Sequence, residues 1–205
     1  MAAPRVVVAT HNSHKAREIA EILAGLVPGL SADEVITAAD TSAEPPIEDG
    51  VTFEANALIK ARTLAQHTGL VAIGDDSGIA VDVMGGAPGI FSARWAGAHG
   101  DDEANLQLLL SQLVDVPVEH RGARFVCAAA AVAPSGAEVV EVGELRGRLV
   151  RSPRGDQGFG YDPIFLADGQ SVTNAELDPA AKNAISHRGQ DVLLRQGLAS
   201  VGALG

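Results

Sequence analysis

The chain has 205 residues, 46% hydrophobic and 20% charged, which is enough to bury a full core as one domain or as two closely joined lobes. A formal net charge of −11 argues against a general nucleic-acid surface, because affinity for a polyphosphate backbone comes from clustered Lys and Arg. The longest apolar run, 125–133, is far short of the ~18 residues of a membrane helix; with no signal-type apolar N-terminus and a single cysteine, the expected location is the cytoplasm, with no membrane partner.

The first expected element is a strand, where Val6-Val7-Val8-Ala9 makes a short buried run within 5–10. A polar loop, Thr10-His11-Asn12-Ser13-His14-Lys15, leads into a helix with Ala16, Ile19, Ile22 or Leu23, and Leu26 on one face, ending around Gly25 and Pro28-Gly29. A loop in this place offers an anion backbone N–H groups and the positive end of a helix dipole, and Lys15 adds a full charge. It lacks the glycines of a Walker A loop, so a plain connection and a phosphate site fit it equally. Residues 33–50, rich in acid, Pro and Thr, read as an irregular surface excursion.

Thr52 is placed to cap a second helix, with Phe53, Ala57, Ala61 and Leu64 at helical spacing and Asn56 and Lys60 four apart on a polar face. Leu70-Val71-Ala72-Ile73 and 79–83 read as two interior strands joined by a tight turn, Gly74-Asp75-Asp76-Ser77-Gly78. That turn puts two carboxylates at a strand end, where open α/β sheets collect ligands, and carboxylate oxygens suit a hard cation such as Mg²⁺. Asp, Ser and Gly also favour turns for purely local reasons.

Gly85-Gly86-Ala87-Pro88-Gly89 forces a defined loop before Ser92-Ala93-Arg94-Trp95, whose Trp fits core, interface or ligand contact. A third helix follows Asp101-Asp102, with Leu106, Leu109, Leu110 and Leu113 as its core stripe, and must stop before Pro117. Residues 124–133 and 137–142 flank Pro134-Ser135-Gly136 as an antiparallel hairpin, so the sheet is expected to be mixed, with Cys127 a buried structural thiol. Gly158-Phe159-Gly160-Tyr161-Asp162-Pro163 either lays a ring open to a flat ligand or packs its aromatics as core. Asp178-Pro179 starts a further helix and 191–200 supplies the last. Between them Ser186-His187-Arg188-Gly189, with Lys182 about one turn upstream, offers donors to carbonyl or phosphate oxygens, or forms a solvated basic patch.

In order and spacing, these pieces resemble one family: the inosine triphosphate pyrophosphatases, or non-canonical purine nucleoside triphosphate pyrophosphatases. The match runs from the Thr10–Lys15 loop through 53–61, Asp75-Asp76-Ser77-Gly78, 85–89, Ser92-Ala93-Arg94 and 158–163 to Ser186-His187-Arg188-Gly189. The resemblance implies a single α/β domain over 1–205, with a long mixed, twisted sheet flanked by helices, two lobes and a central active-site cleft. It further implies a homodimer and Mg²⁺-dependent hydrolysis of ITP, dITP, XTP and dXTP to the monophosphate and pyrophosphate, cleansing the nucleotide pool. Carried over by position, Thr10, His11, Asn12, Ser13, His14 and Lys15 hold phosphates, and Asp76 is general base and metal-associated carboxylate. Glu48 is the second metal ligand, Ser77 contacts substrate, and Lys60 joins the substrate-binding set. Phe159, Gly160, Tyr161, Asp162, Lys182, His187 and Arg188 occupy nucleotide-binding positions, with Phe159 stacking on the base.

One departure stands out: the family usually has an acid immediately before the Asn of its second motif, where this chain has Ala55. If that acid serves to cap the helix, the loss amounts to around a kcal/mol or less. If it touches the metal, Glu48 and Asp75 must suffice. An unperturbed Asp, with a pKa near ~3.9, is a poor base at neutral pH, so Asp76 needs a raised pKa or a water already acidified by the metal. Donors facing position 6 of the base would accept the oxygen of hypoxanthine or xanthine and reject the amino group of adenine.

Two rival readings are a Maf-like pyrophosphatase for modified pyrimidine nucleotides and a non-catalytic nucleotide sensor. The Ser-His-Arg-Gly and Gly-Phe-Gly-Tyr-Asp segments argue against the first, and the pairing of Asp76 with Glu48 against the second.

Overall fold

β-Branched and small apolar residues build the sheet, whose third strand carries Asp76 and Ser77. The computed structural model describes residues 3–10, 19–20, 23–25, 27, 29–178 and 181–182. Six strands, β1 (Val6–Val8), β2 (Val35–Thr37), β3 (Val71–Val81), β4 (Gly122–Val132), β5 (Glu138–Leu149) and β6 (Phe165–Ala167), lie in the order β2-β1-β3-β4-β5-β6. β1 is parallel to both β2 and β3, whereas β5 and β6 are antiparallel, so the sheet is mixed as expected. The β4–β5 turn closes through backbone bonds Ala133 N–H to Ala137 O at 2.8 Å and Gly136 N–H to Ala133 O at 2.9 Å.

The expected turn at 74–78 is not there. β3 runs unbroken for 11 residues through Asp75, Asp76 and Ser77. Turn-forming composition misleads here because the two glycines serve close approach rather than chain reversal. A Cβ at Gly74 would collide with the Ala57 carbonyl and the Ala61 backbone N, and one at Gly78 with Ser92 Oγ and Gly89 O. Strand alternation then puts Ala72, Gly74 and Asp76 on one face.

Two helices are described in full, α1 (Phe53–Thr68) and α2 (Asp102–Gln112). Both begin where their caps require: Thr52 Oγ1 accepts the Ala55 N–H at 3.1 Å, and Asp101 Oδ1 accepts the Ala104 N–H at 3.0 Å. α1 ends at Gly69, whose φ of 69° is the left-handed conformation a helix C-terminus favours. Beyond α2, Arg121, a residue only 2% exposed, donates to the carbonyls of Leu113 and Val116 and so closes that corner. None of the described helices is long and apolar enough to cross a membrane.

The chain divides into two compact units, one from Met1–Asp76 and Ala128–Gly143, the other from Ser77–Cys127 and Glu144–Gly189, as far as the described residues go. In the first unit, Ala57, Ala61, Leu64 and Ala65 of α1 pack with Val7, Ala72, Ala128 and Ala130. Val6, Val8 and Ile73, on the alternate face, pack with Leu23, Val27 and Leu30. In the second unit, the α2 stripe Leu106, Leu109 and Leu113 packs with Ile79, Val81, Phe165 and Tyr161, and Leu110 and Trp95 lie against that cluster. Trp95 is thus a core-flanking residue, and its Nε1 donates to Gln112 Oε1 at 2.9 Å. Cys127, expected to be buried, is partly exposed.

Candidate active site

In the first unit the site begins with small residues. Ala57 and Ala61 let α1 lie against Gly74, so that Asn56 and Lys60, one helical turn apart, reach the next side chain on the same strand face, Asp76. Lys60 Nζ donates to Asp76 Oδ1 at 2.9 Å and to the Asp75 carbonyl at 2.9 Å, and lies 3.2 Å from Glu48 Oε2. These acceptors match the three donors of an ammonium group. Asn56 Nδ2 donates to the other carboxylate oxygen, Asp76 Oδ2, at 3.3 Å. Asn56 Oδ1 is buried and has no partner among the described residues.

Burial is the largest influence on Asp76 and pushes its pKa above the usual carboxylate value; Lys60 and Asn56 pull it down and Glu48 pushes it up, leaving it raised. For Lys60 burial is also the largest single influence and disfavours the charge, but Asp76, Glu48 and Asp75 together outweigh it and its pKa is raised. The ammonium stays charged between two carboxylates.

The oxygen donors here, Glu48, Asp76 and the Asp75 carbonyl, are the ligand chemistry of a hard divalent cation. Among the described residues no group of three or more His, Cys, Asp or Glu side chains could hold a metal. Two carboxylates are what Mg²⁺ uses when waters and substrate phosphates complete its shell, so the residues present fit that ion.

In the second unit the structure assembles a different surface around Phe159, a residue 66% exposed. Asp162, buried, accepts the Phe159 N–H at 2.9 Å, the Lys182 ammonium at 2.5 Å and Asn174 Nδ2 at 3.2 Å. Lys182 Nζ also sits 4.7 Å from the centre of the Phe159 ring, within cation–π range. Gly160 donates its N–H to Asp102 Oδ2, in the first turn of α2, at 2.9 Å. Gly158, at φ 79°, is left-handed, and a Cβ there would fall on Asp162 Oδ2. Asn174 Oδ1, like Asn56 Oδ1, is buried without a partner among the described residues. A rigid turn therefore presents one open aromatic face beside a cation.

Of the residues read from sequence, Glu48, Lys60 and Asp76 come together around one ammonium, and Phe159, Asp162 and Lys182 around one carboxylate. Ser77 is exposed on β3, and Thr10, just past β1, is buried. Tyr161, expected among the nucleotide-binding residues, is 5% exposed and its hydroxyl donates to the Ser92 carbonyl at 2.8 Å, so the phenol holds the turn. His11, Asn12, Ser13, His14, Lys15, His187 and Arg188 lie outside the described residues. Ala55 occupies the third position of α1, where a capping-box acid would stand, and Thr52 caps without it.

The pattern of the Ham1 family matches residues 6–193. The chain belongs to the Ham1 family. A dITP/XTP pyrophosphatase of Leifsonia xyli is 58% identical over 184 residues, covering 90% of this chain and 89% of that protein. A crystal structure described as a nucleoside-triphosphatase or dITP/XTP pyrophosphatase from Mycobacterium abscessus is 48% identical with a TM-score of 0.79, covering 92% of this chain and 96% of that one. A HAM1 protein of Coxiella burnetii is 40% identical with a TM-score of 0.83, covering 92% and 94%. Family and fold thus agree with the motif resemblance and with the expected mixed α/β sheet.

Sequence alone assigns no role to Asn56, which holds Asp76 in the first unit, or to Ser92, Asp102 and Asn174, which hold the Phe159 turn and its surroundings in the second. Asn56 left a signal, its spacing from Lys60 on the polar face of α1. Asp102 looked like part of a helix cap, and Asn174 left none.

Proposed function

We propose that the chain is a nucleoside triphosphate pyrophosphatase, hydrolysing dITP, ITP, XTP and dXTP to the monophosphate and pyrophosphate with Mg²⁺. The observation that carries this reading is Lys60 Nζ, on a family-motif helix, held between Asp76 Oδ1, on a family-motif strand, and Glu48 Oε2 of the preceding loop. The names of the relatives supply the substrate class.

The chain's own residues divide the work. Asp76, with its pKa raised mainly by burial, is a stronger proton acceptor than an ordinary carboxylate and takes the proton of the attacking water. Lys60 fixes the carboxylate through Oδ1 while Asn56 fixes Oδ2, so the base has one orientation. Glu48 and Asp76 would hold the ion, which supplies positive charge against the triphosphate oxygens. Phe159 offers its face to the purine, at a stacking value of about 1–3 kcal/mol. The Phe159 and Gly160 N–H groups already donate to Asp162 and Asp102. Beside the ring, the Lys182 ammonium is a donor within reach of an oxygen at position 6, and the motif resemblance adds His187 and Arg188, which lie outside the described residues. Adenine would set its amino group against that donor, a mismatch costing several kcal/mol (~2–5) in a desolvated site.

The chain in this reading is one subunit of a cytoplasmic homodimer, supported by the motif resemblance alone; its mass in solution tests the dimer. The catalytic reading is tested by supplying dITP, XTP and dATP with Mg²⁺ and resolving pyrophosphate from orthophosphate. Pyrophosphate from dITP and XTP, at an efficiency at least ~100-fold above dATP, is expected. Equal efficiencies, or orthophosphate as the product, would overturn it.

A further inference from the structure

Ser92, in the Ser-Ala-Arg motif to which the reaction gives no role, is 6% exposed and reached by two functional segments of the second unit. Its hydroxyl accepts the Ile79 N–H at 2.9 Å and donates to Gly89 O at 2.6 Å. Its carbonyl accepts the Tyr161 hydroxyl at 2.8 Å. Ile79 lies two residues beyond Ser77 on β3, and Tyr161 two residues beyond Phe159 in the ring-bearing turn. The approach is possible only because Gly78 has no side chain, since a Cβ there would fall on Ser92 Oγ. Glycine at 78 and the hydroxyl at 92 are complementary halves of one contact, which gives the glycine of the Asp-Asp-Ser-Gly motif a reason.

Tyr161 is equally committed. Burial, with the nearby Asp102 charge, pushes its pKa upward, so the phenol remains a donor at every working pH. Its neighbour Gly160 is pinned to Asp102 and its neighbour Asp162 to Lys182 and Asn174, and the Ser92 carbonyl ties this turn by a hydrogen bond to the loop lining β3.

We propose that Ser92 is a positioning residue that fixes the Phe159 turn relative to β3, so that the ring receiving the base keeps its place with respect to Ser77 on the strand. The proposal rests on the nucleotide reading above. Ser92 touches no reacting atom in it: its hydroxyl proton is committed to Gly89 and its oxygen to Ile79. Its two ends act in series, and cutting either one releases the same turn.

The test uses the full-length chain, its Tyr161→Phe, Ser92→Ala and double variants, dITP as substrate, and pyrophosphate, which has no base, as product inhibitor. Loss of one buried hydrogen bond of ~1 kcal/mol predicts that Tyr161→Phe raises KM for dITP about 5-fold. Its kcat and the inhibition constant of pyrophosphate stay within about twofold, because the base-binding segment alone has moved. Ser92→Ala gives the same split, and the double variant is no worse than the larger single, because both cut one chain of contacts. Ser92→Ala leaves a buried N–H unpaired; should it fail to fold, the split in Tyr161→Phe decides alone.

A KM and a pyrophosphate inhibition constant that rise together, an unchanged KM, or a double variant equal to the product of the singles would overturn the proposal. Wild-type chain that leaves dITP intact would sink the nucleotide reading and this proposal with it. Active wild type with unsplit variants would sink the proposal alone.

Discussion

Lys60 donates to Asp76 Oδ1 at 2.9 Å, and both side chains are largely buried, at 15% and 14% exposure. A desolvated ion pair is weak evidence for stability, since the cost of taking both charges out of water offsets their attraction. Its value lies in the acid–base state it sets. Burial lifts the Asp76 pKa and the Lys60 charge is the main counterweight. Lys60→Met should therefore lift that pKa further, moving the acidic limb of kcat/KM to higher pH and lowering turnover on the order of 10²-fold. Lys60→Arg should restore little, because a planar fork cannot donate to the same three acceptors. A pH–rate profile of the three proteins checks this, and an unmoved limb in Lys60→Met would remove Lys60 from the control of Asp76.

Asp76→Asn should keep its fold and lose on the order of 10²-fold or more in turnover. The same substitution should also change how stability depends on pH. With a folded pKa above the unfolded one, the native state binds more protons between the two values, so the unfolding free energy attributable to Asp76 falls as pH rises through that window and is level above it. Denaturant titrations with a chelator present, from about pH 3.9 upward, should show that slope in the wild type and lose it in Asp76→Asn.

Gly74→Ala should destabilise by about 1–3 kcal/mol, because the added methyl meets backbone atoms of α1, which cannot rotate away. Activity should fall as well, since the helix that shifts carries Asn56 and Lys60. Thermal unfolding and turnover on one preparation check both; an unchanged melting temperature would mean that α1 does not depend on this contact.

Phe159→Ala should raise KM for dITP about 10-fold or more through lost stacking. With Phe159 66% exposed, the melting temperature should hardly move. Steady-state kinetics beside thermal unfolding distinguish these effects, and an unchanged KM would exclude the ring as the platform for the base.

Much of this was legible in the sequence where a local rule applied. Thr52 and Asp101 announced the starts of α1 and α2, and the leucine stripe of α2 named its buried face. β3 was misread because Asp-Asp-Ser-Gly satisfies every local rule for a turn, while the reasons for its flanking glycines lie on other segments: α1 for Gly74, Ser92 for Gly78. Glu48 was reached only through family resemblance, since nothing in an aperiodic loop foretells that its carboxylate meets Lys60. The Tyr161–Ser92 bond joins residues 69 apart and is invisible to periodicity.

The most direct measurement is single-turnover hydrolysis of dITP with Mg²⁺ in ¹⁸O-labelled water, followed by mass spectrometry of both products. If Asp76 directs water to the innermost phosphorus, the label appears in dIMP and none in pyrophosphate. Label in pyrophosphate, or release of orthophosphate, would contradict that assignment.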